Sequence, residues 1–196
     1  MDIWHIRGKR ALEGTCFVQG SKNATLPIIA ASIICPARSE LMNVPQLRDV
    51  DAALRILRHI GCTAEQRGGE VYIDSTYLSC SAIPHELMVE MRSSVIFMGA
   101  LLARCGEARL SLPGGCQLGK RPIDLHLSAL RAMGAEIDED GTEIYCRASR
   151  LHGAEIELPF PSVGATENVM LAACAARGRT VIHGAAREPE ICALQD

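Results

Sequence analysis

The chain has 196 residues, of which 48% are hydrophobic and only 4% aromatic, so it can bury one large aliphatic core or two small ones. Its formal net charge of −3 argues against a general nucleic-acid-binding protein, which normally presents a basic face. The sequence holds no uninterrupted apolar run of about 18 residues, and no apolar segment follows its start, so we predict neither a membrane span nor a secretory signal peptide.

Nine cysteines are spread along the chain, and no two of them form a CxxC pair. This spacing argues against a zinc or iron–sulfur cluster, and the odd count argues against a disulfide framework. The six histidines are scattered without ligand spacing. No phosphate-binding P-loop, dinucleotide-binding or serine-hydrolase motif occurs either. We therefore predict a cytoplasmic protein with no metal and no cofactor, whose thiols mostly pack as small hydrophobic groups.

The first predicted elements are a helix over Asn23–Cys35, a strand over Glu40–Val44 and an amphipathic helix over 51–60. That second helix stops at Gly61, and two short strands joined by a polar glycine turn follow. The same order returns with a helix over Met91–Ala103, a strand over Ala108–Leu112, a helix over 124–133 and two strands. A third pass begins at Ser162 with a helix, a turn and a strand.

The chain therefore repeats one structural unit of about 70 residues. Residues 54–72 match residues 127–145 at a constant offset of 73, whereas the preceding helix and strand match at an offset of 68. We expect the third copy to be truncated at Asp196. The second copy carries five extra residues in the loop Gly114–Lys120, and loops on a rigid scaffold commonly carry function.

Cys116 lies in this glycine-rich inserted loop, close to Lys120 and Arg121. Neighbouring cations lower the pKa of a thiol and raise its thiolate content, which favours a reactive cysteine. The alternative is a structural thiol like the other eight cysteines, and the local sequence leaves both interpretations open.

Each pass opens its first helix with a small or polar cluster, at 21–25, 91–94 and 162–166. Free N–H groups and the positive end of the dipole make such helix starts suitable for a phosphate or a carboxylate. Lys22 and Arg92 stand in first turns, where the dipole disfavours a cation unless an anion is shared with the helix end. The alternative is a capped helix with a solvated side chain. If the repeats are related by approximate symmetry, the three helix ends point at one place.

These motifs together resemble the UDP-N-acetylglucosamine enolpyruvyl transferases, and the resemblance runs along essentially the whole chain. It is carried by GSKNATLP (20–27), NVPQLRDVD (43–51), MRSSVIFMGALLAR (91–104), LPGGCQLGKRPIDLHLSALRAMGAEI (112–137), SVGATEN (162–168) and AAREPEI (185–191). The loop around Cys116 followed by RPIDLH distinguishes this family from the shikimate-pathway enolpyruvyl transferases.

The resemblance implies an α/β fold, the inside-out α/β barrel of the enolpyruvyl transferase type, in which each of two domains consists of three repeats with inner helices and outer sheets. Residues 1–21 would belong with a second domain that the sequence lacks. Residues 22–196 would form the three-repeat domain, with its third repeat truncated.

The implied reaction moves enolpyruvate from phosphoenolpyruvate to the 3-hydroxyl of UDP-N-acetylglucosamine with release of phosphate, the first committed step of peptidoglycan synthesis. Cys116 matches the family's proton donor and its site of alkylation by fosfomycin, and Lys22 matches a residue that binds phosphoenolpyruvate. The other matching substrate-binding residues are Asn23, Arg92, Arg121, Pro122, Ile123, Asp124, Leu125, Ser162, Val163 and Gly164.

Two departures from the family pattern matter. Position 160 is Phe160, where some members have a lysine near the nucleotide. The catalytic aspartate belongs to the second domain, so we expect the chain alone to be catalytically weak or dead. The alternatives are a shikimate-pathway transferase, disfavoured by the Cys116 loop, and a truncated non-catalytic UDP-sugar-binding paralogue or partner subunit.

Overall fold

The computed structural model of the chain describes residues 3–9, 11–111 and 123–196, with Arg92 described by its backbone alone. A short 3-10 helix (Arg92–Ile96) precedes the fourth α-helix. The helices and strands of the described residues are α1 (Lys22–Ala31), β1 (Arg38–Leu41), α2 (Arg48–His59), β2 (Thr63–Arg67), β3 (Glu70–Asp74), β4 (Ala82–Ile83), α3 (His85–Met88), α4 (Phe97–Cys105), β5 (Glu107–Ser111), α5 (Asp124–Ala132), β6 (Glu136–Glu139), β7 (Glu143–Arg147), β8 (Glu155–Glu157), α6 (Val163–Ala173), β9 (Val181–His183) and α7 (Pro189–Gln195).

The first two copies of the repeat have the same sheet topology, which confirms the predicted α/β repeat. In the first copy the strand order is β1-β3-β2, and in the second copy it is β5-β7-β6 with β4 added in parallel beside β5. The hairpin register is identical at the offset of 73, because Glu65 pairs with Tyr72 and Asp138 pairs with Tyr145. The third copy contributes β9, which pairs in parallel with β8, a strand that lies just before Ser162.

The predicted offset of 68 for the first strand of each copy is wrong by one residue. Arg38 pairs with Asp74 and Glu107 pairs with Arg147, so β1 and β5 are 69 positions apart (107 − 38) while their partners keep the offset of 73. At this offset the exposed residues of β1 fall on exposed residues of β5, and the half-buried ones fall on buried ones. Four extra residues, rather than five, therefore separate β5 from α5.

Two predicted helices have different bounds in the structure. The helix predicted over Asn23–Cys35 runs from Lys22 to Ala31 and is followed by two tight turns, in which Ile33 N–H bonds to Ala30 and Ile34 N–H bonds to Ala31. Pro36 then excludes helical backbone at Cys35, so the helix cannot resume there. The helix predicted over Met91–Ala103 is divided into the 3-10 helix and α4. The two segments still run in the predicted order, so the repeat is unaffected.

The helices α4 and α6 pack against each other in the core. In α4 the residues from Phe97 to Leu102 are all buried, and in α6 those from Ala165 to Val169 are all buried. In contrast α2 is amphipathic, with Val50, Leu54 and Leu57 buried on one face. A helix that is buried on most of its circumference lies in the interior of the domain. The first helices of the repeats therefore form the interior, and the sheets form the outer surface.

The start of the chain differs from the rest of the structure. The described residues 3–9 and 11–20 form neither helix nor strand. Large apolar side chains in this segment are exposed, including Trp4 at 87% and Phe17 at 91%. Throughout the described part of the chain, no helix is long and apolar enough to cross a membrane.

Candidate functional site

The N-terminal turn of α1 lies against the N-terminal turns of two other helices. Lys22 Nζ lies 3.0 Å from Asp49 Oδ2 in the first turn of α2. Asn23 Nδ2 donates a hydrogen bond of 3.2 Å to Glu190 Oε1 in the first turn of α7. Because a carboxylate can only accept, this bond leaves Asn23 Oδ1 as an acceptor for another group.

The helices α1 and α6 begin with the same N-cap. The Ser21 hydroxyl accepts a hydrogen bond from the Ala24 backbone N–H at 3.3 Å, and the Ser162 hydroxyl accepts one from Ala165 at 3.4 Å. In each helix the threonine that follows this alanine donates to the backbone carbonyl of the capping serine at 2.8 Å. The clusters SKNAT and SVGAT are therefore equivalent caps in the first and third copies.

The start of α6 joins α7 and α5 to the same cluster. Thr166 Oγ1 accepts a hydrogen bond of 3.1 Å from the backbone N–H of Ala186, in the segment that leads into α7. The backbone of Gly164 lies against the imidazole of His126 in α5, since a Cβ added at Gly164 would be 3.0 Å from His126 Cε1. The first turn of α1 thus contacts those of α2 and α7, and the first turn of α6 contacts that of α5. Ala186, just before α7, joins the two groups, which brings the helix ends of the first and third copies to one place.

Nine of the twelve site residues predicted from the sequence lie within the described part of the chain. Lys22, Asn23 and Asp124 are exposed, and Arg92 begins the 3-10 helix. The half-buried ones are Ile123, Leu125, Ser162, Val163 and Gly164. Cys116, Arg121 and Pro122 lie outside the described residues.

The arrangement suits an anionic ligand. The starts of α1 and α6 direct backbone N–H groups and the positive ends of two helix dipoles at their surroundings. Lys22 adds a cation to the start of α1. Its ion pair with Asp49 is largely solvated, with side-chain exposures of 45% for Lys22 and 34% for Asp49. An incoming phosphate or carboxylate can therefore share Lys22 at small cost, because exposed ion pairs contribute only about 0–1 kcal/mol. In the described part of the chain, no three His, Cys, Asp or Glu residues are placed to hold a metal ion.

Sequence reasoning missed Asp49, Glu190, Glu167, His126 and Asn168. Glu190 was visible only as part of a charged run of undecided role, and its position 167 residues from Asn23 gives no local signal. The last two side chains are buried polar groups inside the quoted motifs RPIDLH and SVGATEN. A polar residue among apolar neighbours in a helix that should be buried is the signal that could have identified them.

Glu167 is a buried carboxyl group beside this cluster. It lies on α6 and is 6% exposed, and burial, with Glu190 and Glu188 nearby, raises its pKa to about 7. Since its folded pKa lies above the ordinary value of 4.5, the folded state binds the proton more tightly between those two pH values. The contribution of Glu167 to stability is therefore lost as the pH rises through this window.

We expect Glu167→Gln to gain stability relative to the parent as the pH rises from 4.5 to 7, by about 3 kcal/mol across the window. Urea unfolding of both proteins at several pH values measures this difference. The comparison with the parent removes the opposite slope contributed by His126, whose pKa is lowered by burial to about 4. Glu157 is exposed, so Glu157→Gln is the control that removes a carboxylate from the surface. A difference that stays constant with pH would contradict the prediction.

Known proteins support the resemblance seen in the sequence. UDP-N-acetylglucosamine 1-carboxyvinyltransferase 2 of Caldanaerobacter subterraneus subsp. tengcongensis is 49% identical over 196 residues, which is 100% of this chain and 47% of that protein. UDP-N-acetylglucosamine 1-carboxyvinyltransferase of Oleidesulfovibrio alaskensis gives the same identity and coverage. The chain thus spans about half the length of the curated relatives it matches.

Solved structures with the same fold are more distant in sequence. The enolpyruvyl transferase NikO from Streptomyces tendae has a TM-score of 0.78 at 21% identity, over 91% of this chain and 43% of that one. EPSP synthase from Acinetobacter baumannii has a TM-score of 0.71 at 22% identity, over 94% of this chain and 43% of that one. These likenesses confirm the predicted enolpyruvyl transferase fold.

A family model agrees with both comparisons and covers nearly the whole chain. The model, described as EPSP synthase (3-phosphoshikimate 1-carboxyvinyltransferase), matches residues 6–196. Because this match covers far more than half of the chain, the chain belongs to the EPSP synthase family of enolpyruvyl transferases.

Proposed function

We propose that the protein carrying this chain transfers enolpyruvate from phosphoenolpyruvate to the 3-hydroxyl of UDP-N-acetylglucosamine and releases phosphate, the first committed step of peptidoglycan synthesis. The observation that carries this choice of acceptor is the 49% identity, over the entire chain, to proteins named for that substrate. The identity to EPSP synthase from Acinetobacter baumannii is only 22%. The loop cysteine at Cys116 supports the same choice.

The linked helix starts supply what such substrates need. Phosphoenolpyruvate carries a phosphate and a carboxylate, and the UDP-sugar carries a diphosphate. Lys22 and the N-terminus of α1 would hold phosphoenolpyruvate, and Asn23 Oδ1 would accept a hydrogen bond from a sugar hydroxyl. The segments Ile123–Leu125 and Ser162–Gly164, together with Arg121 and Pro122, would hold the uridine nucleotide, and Arg92 would face an anionic group.

The chemistry proceeds by addition and elimination. Cys116 gives a proton to C3 of phosphoenolpyruvate, which makes C2 electrophilic, and the sugar oxygen bonds to C2 as its own proton leaves to a base. The Cys116 thiolate takes a proton back from C3, the double bond re-forms, and the C2–O bond to phosphate breaks as the phosphate leaves with the proton that the base took from the sugar hydroxyl. Preorganised donors around the anionic groups stabilise the charge that develops in these steps.

We also propose that residues 1–21 pack with a second domain that supplies the base, while residues 22–196 form the three-repeat domain. The exposed Trp4 and Phe17 support this division, because exposed apolar side chains in series mark a surface that another element covers. The protein is proposed to be cytoplasmic. The eight cysteines in the described ranges are all free thiols, as expected in a reducing compartment.

Phosphate release tests this function. The full-length protein, comprising this chain and the proposed second domain, is expected to release phosphate with phosphoenolpyruvate and UDP-N-acetylglucosamine but not with shikimate 3-phosphate. Cys116→Ser is expected to lower the rate roughly 100-fold or more, as for loss of a general acid. The exposed Cys174→Ser is the matched control and should retain the parental rate.

Three outcomes would contradict the proposal in different ways. Turnover with shikimate 3-phosphate alone would identify a shikimate-pathway enzyme. Binding of the UDP-sugar without turnover would identify a non-catalytic binding protein. An unchanged rate for Cys116→Ser would remove Cys116 from the chemistry.

A further inference from the structure

Asn168 is a buried polar side chain that joins two copies of the repeat. It lies in α6 with 0% exposure. Its Oδ1 accepts a hydrogen bond of 2.7 Å from the backbone N–H of Gly99, and its Nδ2 donates one of 3.1 Å to the carbonyl of Val95. The same Nδ2 lies 2.8 Å from Nδ1 of His126. Both N–H groups of the amide are therefore satisfied by the second copy.

The contact with Asn168 determines which nitrogen of His126 carries the proton. Because the amide nitrogen can only donate, His126 Nδ1 must be the acceptor, so a neutral ring carries its proton on Nε2. His126 is 8% exposed, and burial lowers its pKa to about 4, so the ring is neutral near pH 7. Asn168 thus holds both the orientation and the tautomer of the imidazole.

His126 lies between two segments of the proposed nucleotide site. In sequence it directly follows Ile123–Leu125. In space its ring lies against the backbone of Gly164, where an added Cβ would be 3.0 Å from Cε1 and 3.3 Å from Nε2. Val95, the other acceptor of the Asn168 amide, belongs to the 3-10 helix that Arg92 begins. One buried network therefore touches three of the segments assigned to the substrates.

We propose that Asn168 and His126 are positioning residues that set the spacing between the segments Ile123–Leu125 and Ser162–Gly164, and so determine the affinity for the nucleotide part of the UDP-sugar. This inference rests on the proposed function. An apolar pair would fill the same space, whereas a satisfied polar network imposes one relative arrangement of the elements that it joins.

The test measures kcat, both KM values and the dissociation constant of UDP for the full-length protein and its variants. His126→Ala is expected to raise the KM for UDP-N-acetylglucosamine and the dissociation constant of UDP about 10-fold, with kcat and the KM for phosphoenolpyruvate within about 3-fold of the parent. Asn168→Ala should act in the same direction. The fold-change in the double variant should be smaller than the product of the two single fold-changes, because the two residues share the contact between Asn168 Nδ2 and His126 Nδ1.

His126→Asn is the rescue variant. Asparagine has an oxygen at the position of Nδ1, so it can still accept from Asn168, and it should restore the KM to within about 3-fold of the parent. Val169→Ala is the matched control, since Val169 is a buried apolar neighbour on the same helix. It should lower stability without moving the KM for the UDP-sugar.

Nitrogen-15 NMR of labelled histidine provides an independent readout. The His126 signals are those that are absent from the spectrum of His126→Asn. At pH 7 their chemical shifts in the parent should indicate a protonated Nε2 and an unprotonated Nδ1. In Asn168→Ala they should indicate a mixture of the two tautomers. If the parent turns over UDP-N-acetylglucosamine and the KM shifts of His126→Ala and Asn168→Ala are no larger than that of Val169→Ala, only this inference is overturned. A parent that neither turns over nor binds UDP overturns the proposed function and this inference with it.

Discussion

Gly99→Ala is expected to lower the free energy of unfolding by about 3 kcal/mol, although an alanine normally stabilises a helix relative to glycine by about 1 kcal/mol. Gly99 lies in α4 where this helix crosses α6. A Cβ at that position would be 2.3 Å from the backbone oxygen of Asn168 and 2.9 Å from its Oδ1. The first of these atoms belongs to the backbone of a buried helix and cannot turn away, so the two helices would have to separate.

Urea unfolding of the parent and the variant measures this loss. Gly69→Ala is the matched control, because an added Cβ at Gly69 meets nothing within 4 Å. Its free energy of unfolding should stay within about 0.5 kcal/mol of the parent. A Gly99→Ala protein with an unchanged or higher midpoint would show that the crossing of α4 and α6 is looser than described.

Lys22→Ala is expected to lower turnover by the full-length protein roughly 10²–10³-fold, the usual effect of removing one preorganised group that stabilises developing charge. The cation stands at the start of α1, where the helix dipole disfavours it and the partly exposed Asp49 compensates only partly, so a bound anion would be stabilised by both Lys22 and the helix end. Stability should change by less than about 1 kcal/mol, since the only ionic partner of Lys22 among the described residues is the solvated Asp49. A large loss of rate without a loss of stability separates a binding role from a structural one.

Phosphate release and urea unfolding of the same samples measure the two effects. Arg38→Ala is the control, because Arg38 forms a similar exposed ion pair with Asp74, 2.8 Å apart, in the outer sheet. It should leave both turnover and stability near the parental values. Turnover of Lys22→Ala within about 3-fold of the parent would remove Lys22 from the substrate site.

The amino-acid sequence by itself determined the repeated unit and most of its elements. The offset of 73 was visible because the helix α2 and the hairpin after it are built from local signals that recur in α5 and the second hairpin. Gly61, the predicted helix end, and its counterpart Gly134 in the second copy follow the last helical turns with φ of 106° and 92°. Helical spacing and glycine turns act over a few residues, so their effects can be read in order along the chain.

Only the tertiary structure decided which side chains meet at the site. Asn23 meets Glu190 and Asn168 meets His126 across 167 and 42 residues respectively. The raised pKa of Glu167 and the lowered pKa of His126 both come from burial, which depends on the packing of several helices. These contacts and this desolvation arise when copies of the unit pack together, and that packing has no signature in any single segment of the chain. The one-residue shift between β1 and β5 was decided by strand pairing within each copy, which joins residues at least 30 positions apart.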